Sequence, residues 1–117
     1  MFREQFRALE GLVPGFRAAA VVGSDGIEIE SHVVADLPHE VLSAELNGTL
    51  RNLDRLREEA GIGDLEEVVI RTSGENLLLL RLSPELFVLT ITDASQPTGR
   101  ARYEVQRLAH EFLRALR

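Results

Sequence analysis

PHEVLSAELNGTLRNLDRLREEAG, the stretch from Pro38 to Gly61, decides the fold. Leu42, Leu46, Leu50, Leu53, Leu56 and Ala60 recur at steps of three and four, so a 3.6-residue repeat stacks them on one side of a helix of about six turns. Asp36 is read as its N-cap, Pro38 falls in the first turn, and Gly61 is the stop. The opposite side is unusual: Ala44 and Gly48 lie four apart there, flanked by Asn47, Arg51 and Arg55. A glycine inside a helix costs about 1 kcal/mol relative to alanine. A second backbone passing close to Gly48 would account for it. The helix is then two-faced, with leucines toward its own domain and a small, polar face toward a partner. The competing reading is that Asn47-Gly48 marks a kink or a break.

Around this helix, the 117 residues make one domain, 1–117, with an ordinary apolar content of 44%. Cysteine is absent, which removes disulfides, thiol catalysis and thiolate metal sites together. No apolar run approaches the ~20 residues of a membrane helix and no signal-peptide pattern opens the chain, so no membrane insertion is expected and a cytoplasmic location is. The net charge of -6 argues against general nucleic-acid binding, which needs a basic face. The charge is uneven. From Ala94 onward five arginines face two acidic residues, a local +3 that leaves -9 on the remainder. This basic end reads as a solvated helix face whose last arginines complement the helix dipole, with contact to an acidic partner as the functional alternative. Every basic residue is arginine and none is lysine.

Before the central helix, Phe2, Phe6, Leu9 and Val13 share one face of an amphipathic first helix, which Pro14-Gly15 ends. Arg17 to Gly23 reads as a strand, Ser24-Asp25-Gly26 as a tight hairpin turn, and Ile27 to Val33 as a second strand. There Ile27, Ile29 and Ser31 alternate with Glu28, Glu30 and His32, which suggests an edge strand whose charged face is open to water. After Gly61-Ile62-Gly63-Asp64 come three more strands, Leu65 to Ser73, Leu77 to Leu82 and Leu86 to Thr92, joined by short turns. The last two are apolar at consecutive positions, so both faces of the sheet are covered. Gly99 opens a final helix with the stripe Ala101, Val105, Leu108, Ala109, Phe112 and Leu116. Short hairpins make neighbouring strands antiparallel. The expected architecture is α/β (α+β): an α/β/α sandwich with a five-stranded antiparallel sheet in the order α-β-β-α-β-β-β-α. The third strand, carrying Glu66, Glu67, Arg71 and Thr72, is the more polar one and reads as a free edge, as does the second.

The order of elements and several local strings resemble the roadblock / dynein light chain family. Val13-Pro14-Gly15-Phe16-Arg17-Ala18-Ala19 resembles the family's approach to its first strand, and Ser24-Asp25-Gly26-Ile27 its first hairpin. Gly63-Asp64-Leu65-Glu66-Glu67-Val68-Val69-Ile70 resembles its loop into the third strand. Leu86-Phe87-Val88-Leu89 with Asp93 and Gly99 resembles its last strand and helix start. The resemblance implies a roadblock/profilin-like sandwich. It also implies a homodimer made by joining third strands edge to edge, with the central helices side by side, and work with a small Ras-like GTPase, as in the bacterial gliding-motility and cell-polarity branch. The implied interface takes Ala44, Asn47, Gly48, Arg51 and Arg55 from the helix and Val68, Ile70 and Thr72 from the strand. Arg51, Asn52 and Arg55 are the partner-binding candidates. The chain departs from the gliding-motility branch in having nothing like that branch's extended termini, which bears on GTPase activation and not on pairing.

No catalytic motif accompanies this pattern. His32, His39 and His110 have no metal-ligand spacing, and no Gly-x-Ser-x-Gly string or phosphate-loop Gly-Lys-Ser/Thr is present. Adjacent Glu58-Glu59 and Glu66-Glu67 diverge, so neither makes a carboxylate dyad. Hence no enzyme, cofactor or metal is expected. Arg51 or Arg55 as an arginine finger is weighed against their role as counterions to Glu45, Glu58 and Glu59. The first functional reading is a homodimeric regulator or activating partner of a small GTPase. The second is a scaffold or adaptor subunit of a signalling or motor assembly. A small-ligand sensor is the third, and it needs an apolar pocket that the packed run Leu77 to Leu80 disfavours.

Overall fold

The computed structural model describes residues 1–116. In chain order the elements are α1 (Arg3–Leu12), β1 (Phe16–Gly23), β2 (Glu28–Val33), α2 (His39–Ala60), β3 (Glu67–Arg71), β4 (Glu75–Ser83), β5 (Leu86–Asp93) and α3 (Gly99–Arg114). The strands form one antiparallel sheet in the order β2-β1-β5-β4-β3, which leaves β2 and β3 as the outer strands.

Two apolar layers hold the sandwich. On one face of the sheet α1 and α3 bury Phe2, Phe6, Leu9, Val105, Leu108 and Phe112 against Ala19, Val21, Leu78 and Val88. The rings of Phe2, Phe6 and Phe112 meet with centroids 5.7–6.1 Å apart. On the other face Leu46 and Leu50 of α2 cover Ala18, Ala20, Val22, Leu77, Leu79, Phe87, Leu89 and Ile91. Adjacent leucines of β4 therefore serve opposite layers, as consecutive apolar residues in a strand must. Burial of each such side chain is worth roughly 1.5–3 kcal/mol.

α2 is continuous through Asn47-Gly48, so the break is not formed. It begins at His39 with Pro38 at the N-cap position and no side-chain cap, where Asp36 was expected. It ends at Gly61, whose φ of 65° lets its N–H turn back to the carbonyls of Arg57 and Glu58. Only the middle of the leucine stripe is buried. Leu42 and Leu53 are half-buried, while Leu56 is 57% exposed and Ala60 is exposed.

The second strand reverses the expected faces. Val21 pairs with Glu30 but Val22 pairs with Glu28, so Ile29 is an extra residue in a β-bulge. The bulge turns Glu28 toward α2 and Glu30 toward α1, and both glutamates find partners there. Ile27, Ile29 and Ser31 are the residues left exposed. On α3 the stripe also differs at two positions: Leu116 is exposed and Glu104 is buried.

Candidate partner surface: the β3 edge and the outer side of α2

The β3 edge follows from its hydrogen-bond register. Glu67 pairs with Leu80 and Arg71 with Asn76. The N–H of Arg81 donates to the carbonyl of Glu66 and that of Thr72 to the carbonyl of Glu75. In an antiparallel ladder bonded positions alternate. Glu66, Val68, Ile70 and Thr72 therefore face β4, and the N–H and C=O groups of Glu67, Val69 and Arg71 point away from the sheet. Those groups form a short, unbulged, unpaired edge. Val68 and Ile70 are half-buried on the α2 face, packed against the layer under that helix. Thr72 lies one residue past the strand. Its hydroxyl donates to the Glu75 carbonyl at 2.8 Å and accepts from the N–H groups of Gly74 and Glu75, so it is used in the turn.

α2 crosses the strands obliquely, from Ser43 beside Glu28 of β2 to Asp54 beside Arg81 of β4. The helix candidates separate into two groups. Asn47 and Arg51 both donate to the carbonyl of Ser24 in the β1–β2 turn, each at 3.1 Å, and so lock that hairpin to the helix. Ala44, Gly48, Asn52 and Arg55 are exposed on the outer side. The close backbone approach is at Gly26, not Gly48. A Cβ on Gly26 would lie 3.3 Å from the Ala44 Cα, and its φ of 80° also suits glycine, whereas a Cβ on Gly48 would meet nothing within 4 Å. Arg55 forms no ion pair among the described residues, and neither do Glu45, Glu58 or Glu59.

Sequence reasoning missed the polar ties that fix these surfaces. The Glu28 carboxylate, with its side chain 8% exposed, accepts from Ser43 Oγ at 2.7 Å and meets His39 Nδ1 at 2.8 Å. Glu67 of β3 reaches across to Arg102 and Gln106 of α3. Asn76 is fully buried and its amide serves Thr92 Oγ1 and the carbonyls of Asp93 and Gln96, tying the β5–α3 loop to β4. Each tie joins residues distant in the chain, and the periodicity, which put Glu28 on a face open to water and Glu67 on a free edge, gave no local signal for it.

A groove of about 1010 Å³ opens beside β3. Its arginines are already matched: Arg81 to Asp54 at 2.8 Å, Arg57 to Asp64 at 3.6 Å, and Arg102 to Glu67. Charged side chains dominate its wall, which does not suit a small apolar ligand. Among the described residues no group of acidic or histidine side chains is placed to hold a metal, and no helix is long and apolar enough to cross a membrane.

The architecture is the roadblock/profilin-like α+β sandwich. No protein-family model matches the chain. Its curated relatives include an uncharacterised protein of Methanocaldococcus jannaschii, 27% identical over 98 residues, covering 84% of this chain and 85% of that one. Among solved structures it superposes on a Roadblock/LC7 domain from Streptomyces avermitilis with a TM-score of 0.85 at 17% identity, covering 97% of this chain and 95% of that one. It superposes on the gliding protein MglB of Thermus thermophilus at 0.81 and 15% identity, covering 92% and 82%. MglB in a tetrameric arrangement matches at 0.83 and 16% identity, covering 97% and 88%. These likenesses define the fold: a roadblock fold resembling that of MglB.

Proposed function

We propose that this chain is a non-enzymatic homodimeric regulator of a small Ras-like GTPase, pairing through β3 and the outer side of α2. The observation that carries the reading is the unpaired edge at Glu67, Val69 and Arg71, on a sheet whose covering helix α2 leaves Gly48, Asn52, Arg55 and Leu56 exposed. Two such edges joined antiparallel extend the sheet and bring two α2 helices together as one platform. The local strings that resemble the gliding-motility branch of the roadblock family support the GTPase as the partner class. Arg51 is spent on the Ser24 carbonyl, which leaves Arg55 and Asn52 as the exposed contacts, and ordering of the GTPase's own switch loops needs no arginine finger.

Sedimentation at micromolar concentration tests the pairing, and a lone subunit overturns it. Mixing the protein with a candidate Ras-like GTPase and following complex formation and GTP hydrolysis tests the rest. Faster hydrolysis supports the regulator. Binding with unchanged hydrolysis transfers support to a scaffold.

A further inference from the structure

The outward side of α3 carries Arg100, Tyr103, Arg107, His110 and Arg114 at alternating steps of three and four, and all five are exposed. At ~1.5 Å per residue they make a ribbon about 20 Å long. It lies on the layer opposite α2, away from that helix's outer side. The acidic residues of α3 border it on the inner side: the Glu104 side chain is 3% exposed, and Glu111 is half-buried and close enough to act on the charge of Arg107.

Glu104 sits beneath the ribbon. Arg107 Nε donates to its Oε1 at 2.9 Å, and Arg100 Nε lies 3.8 Å from its Oε2. That bond raises the Arg107 pKa above its ordinary value. A buried carboxylate is costly unless matched, and here one carboxylate is matched by two guanidiniums. Arg107 is bonded through Nε and Arg100 lies near through Nε, and the terminal nitrogens of both, on exposed side chains with no other described partner, are forks suited to carboxylate oxygens. Tyr103, 60% exposed, stands between them with a flat ring and a hydroxyl.

The ribbon is one helix wide. On one flank Arg102 is already paired with Glu67. On the other, the groove between α1 and α3 is lined by Glu4 and Glu111 together with Arg3 and Arg114. A ribbon one helix wide matches a single acidic segment laid along α3. We propose that α3 is a docking ribbon for an acidic segment of a partner protein, whose carboxylates are received by Arg100 and Arg107, with Glu104 as the residue that positions them.

The probes are a labelled helical peptide with glutamates at the same three-four steps, a scrambled peptide of equal charge, and phosphatidylcholine vesicles containing phosphatidylserine. The spaced peptide is expected to bind, more weakly as salt rises. Arg100→Ala with Arg107→Ala is expected to cost about tenfold in affinity, measured below a lowered melting temperature because Glu104 is left unmatched. Glu104→Gln is expected to cost about threefold, and Arg107→Lys not to restore Arg107's share, since the fork is lost. The expected insensitivity to Val69→Pro separates this surface from the β3 edge. Equal binding of the scrambled peptide, tighter binding to the vesicles, or unchanged binding by the double variant would overturn the proposal.

Discussion

The two outer strands of the sheet are finished in different ways. β2 is bulged at Ile29 and tied on both faces. Glu28 is held by Ser43 and His39 of α2, Glu30 accepts from the Met1 amine and the Phe2 N–H, and His32 meets Glu10 of α1 at 2.6 Å while stacking on Phe6. β3 has no bulge and one described side-chain tether to a helix, from Glu67 to α3. Bulges and inward charges are devices that blunt an edge against pairing. This sheet applies them to one margin and leaves the other straight. The contrast is what makes β3, rather than β2, the margin to test for a partner.

The largest effect is expected at Val69. Its N–H points away from β4, so Val69→Pro removes no bond of the monomer. Dimerisation should weaken by about 3 kcal/mol, roughly a hundredfold, on losing an edge bond and meeting the proline ring. Sedimentation equilibrium measures this, and Ile70→Pro is the contrast, because Ile70 faces the ladder and its loss should lower the melting temperature as well. An unshifted dimer in Val69→Pro would place the contact elsewhere.

The tied margin gives the next effect. Glu28→Ala strands Ser43 and His39 without their acceptor, and about 2 kcal/mol of stability should be lost, in line with unsatisfied buried polar groups. Denaturant melts give the magnitude, and hydrogen exchange should show β2 loosened and β3 unchanged. Equal loosening of both strands would contradict the contrast between them.

How far the sequence revealed these features depended on distance along the chain. The leucine spacing of α2, the Asp25-Gly26 turn and the consecutive leucines of β4 encode local periodicity, and each element formed where that periodicity put it. The faces of β2 did not follow, because a one-residue bulge reverses a strand's sides and depends on pairing with Val21 and Val22. Glu104 was read outside the apolar stripe of α3, since nothing in a helical repeat says that two exposed arginines will match a buried carboxylate. The polar side of α2 was recognised as special, but not its division. Asn47 and Arg51 serve the hairpin turn, and only Ala44, Gly48, Asn52 and Arg55 remain outside.

Gly48 sharpens that division. With nothing near its missing side chain, Gly48→Ala should stabilise the monomer by about 1 kcal/mol through helix propensity alone. Gly48→Leu should keep the fold and weaken the dimer if the α2 helices pack closely. An unchanged dimer confines the contact to the strand. Arg51→Ala is expected to cost less, about 0.5 kcal/mol, as one exposed bond to the Ser24 carbonyl is lost.

The smallest expected effect serves as a control lying on neither margin. Asp93 ends the central strand β5, and its carboxylate accepts from the Ser95 hydroxyl at 2.9 Å. That bond first, then the Ser95 N–H, lowers its pKa below the ordinary carboxylate value. A lowered folded-state pKa means that the stability it brings is present above the unfolded pKa, ~4, and is lost as pH falls through the folded value. The melting-temperature gap between wild type and Asp93→Asn should therefore be open at neutral pH and close in acid. Hydrogen exchange at β2 and β3 should not respond, because Asp93 touches neither strand's outer groups. A gap that widens in acid would assign the Ser95 contact the wrong sign.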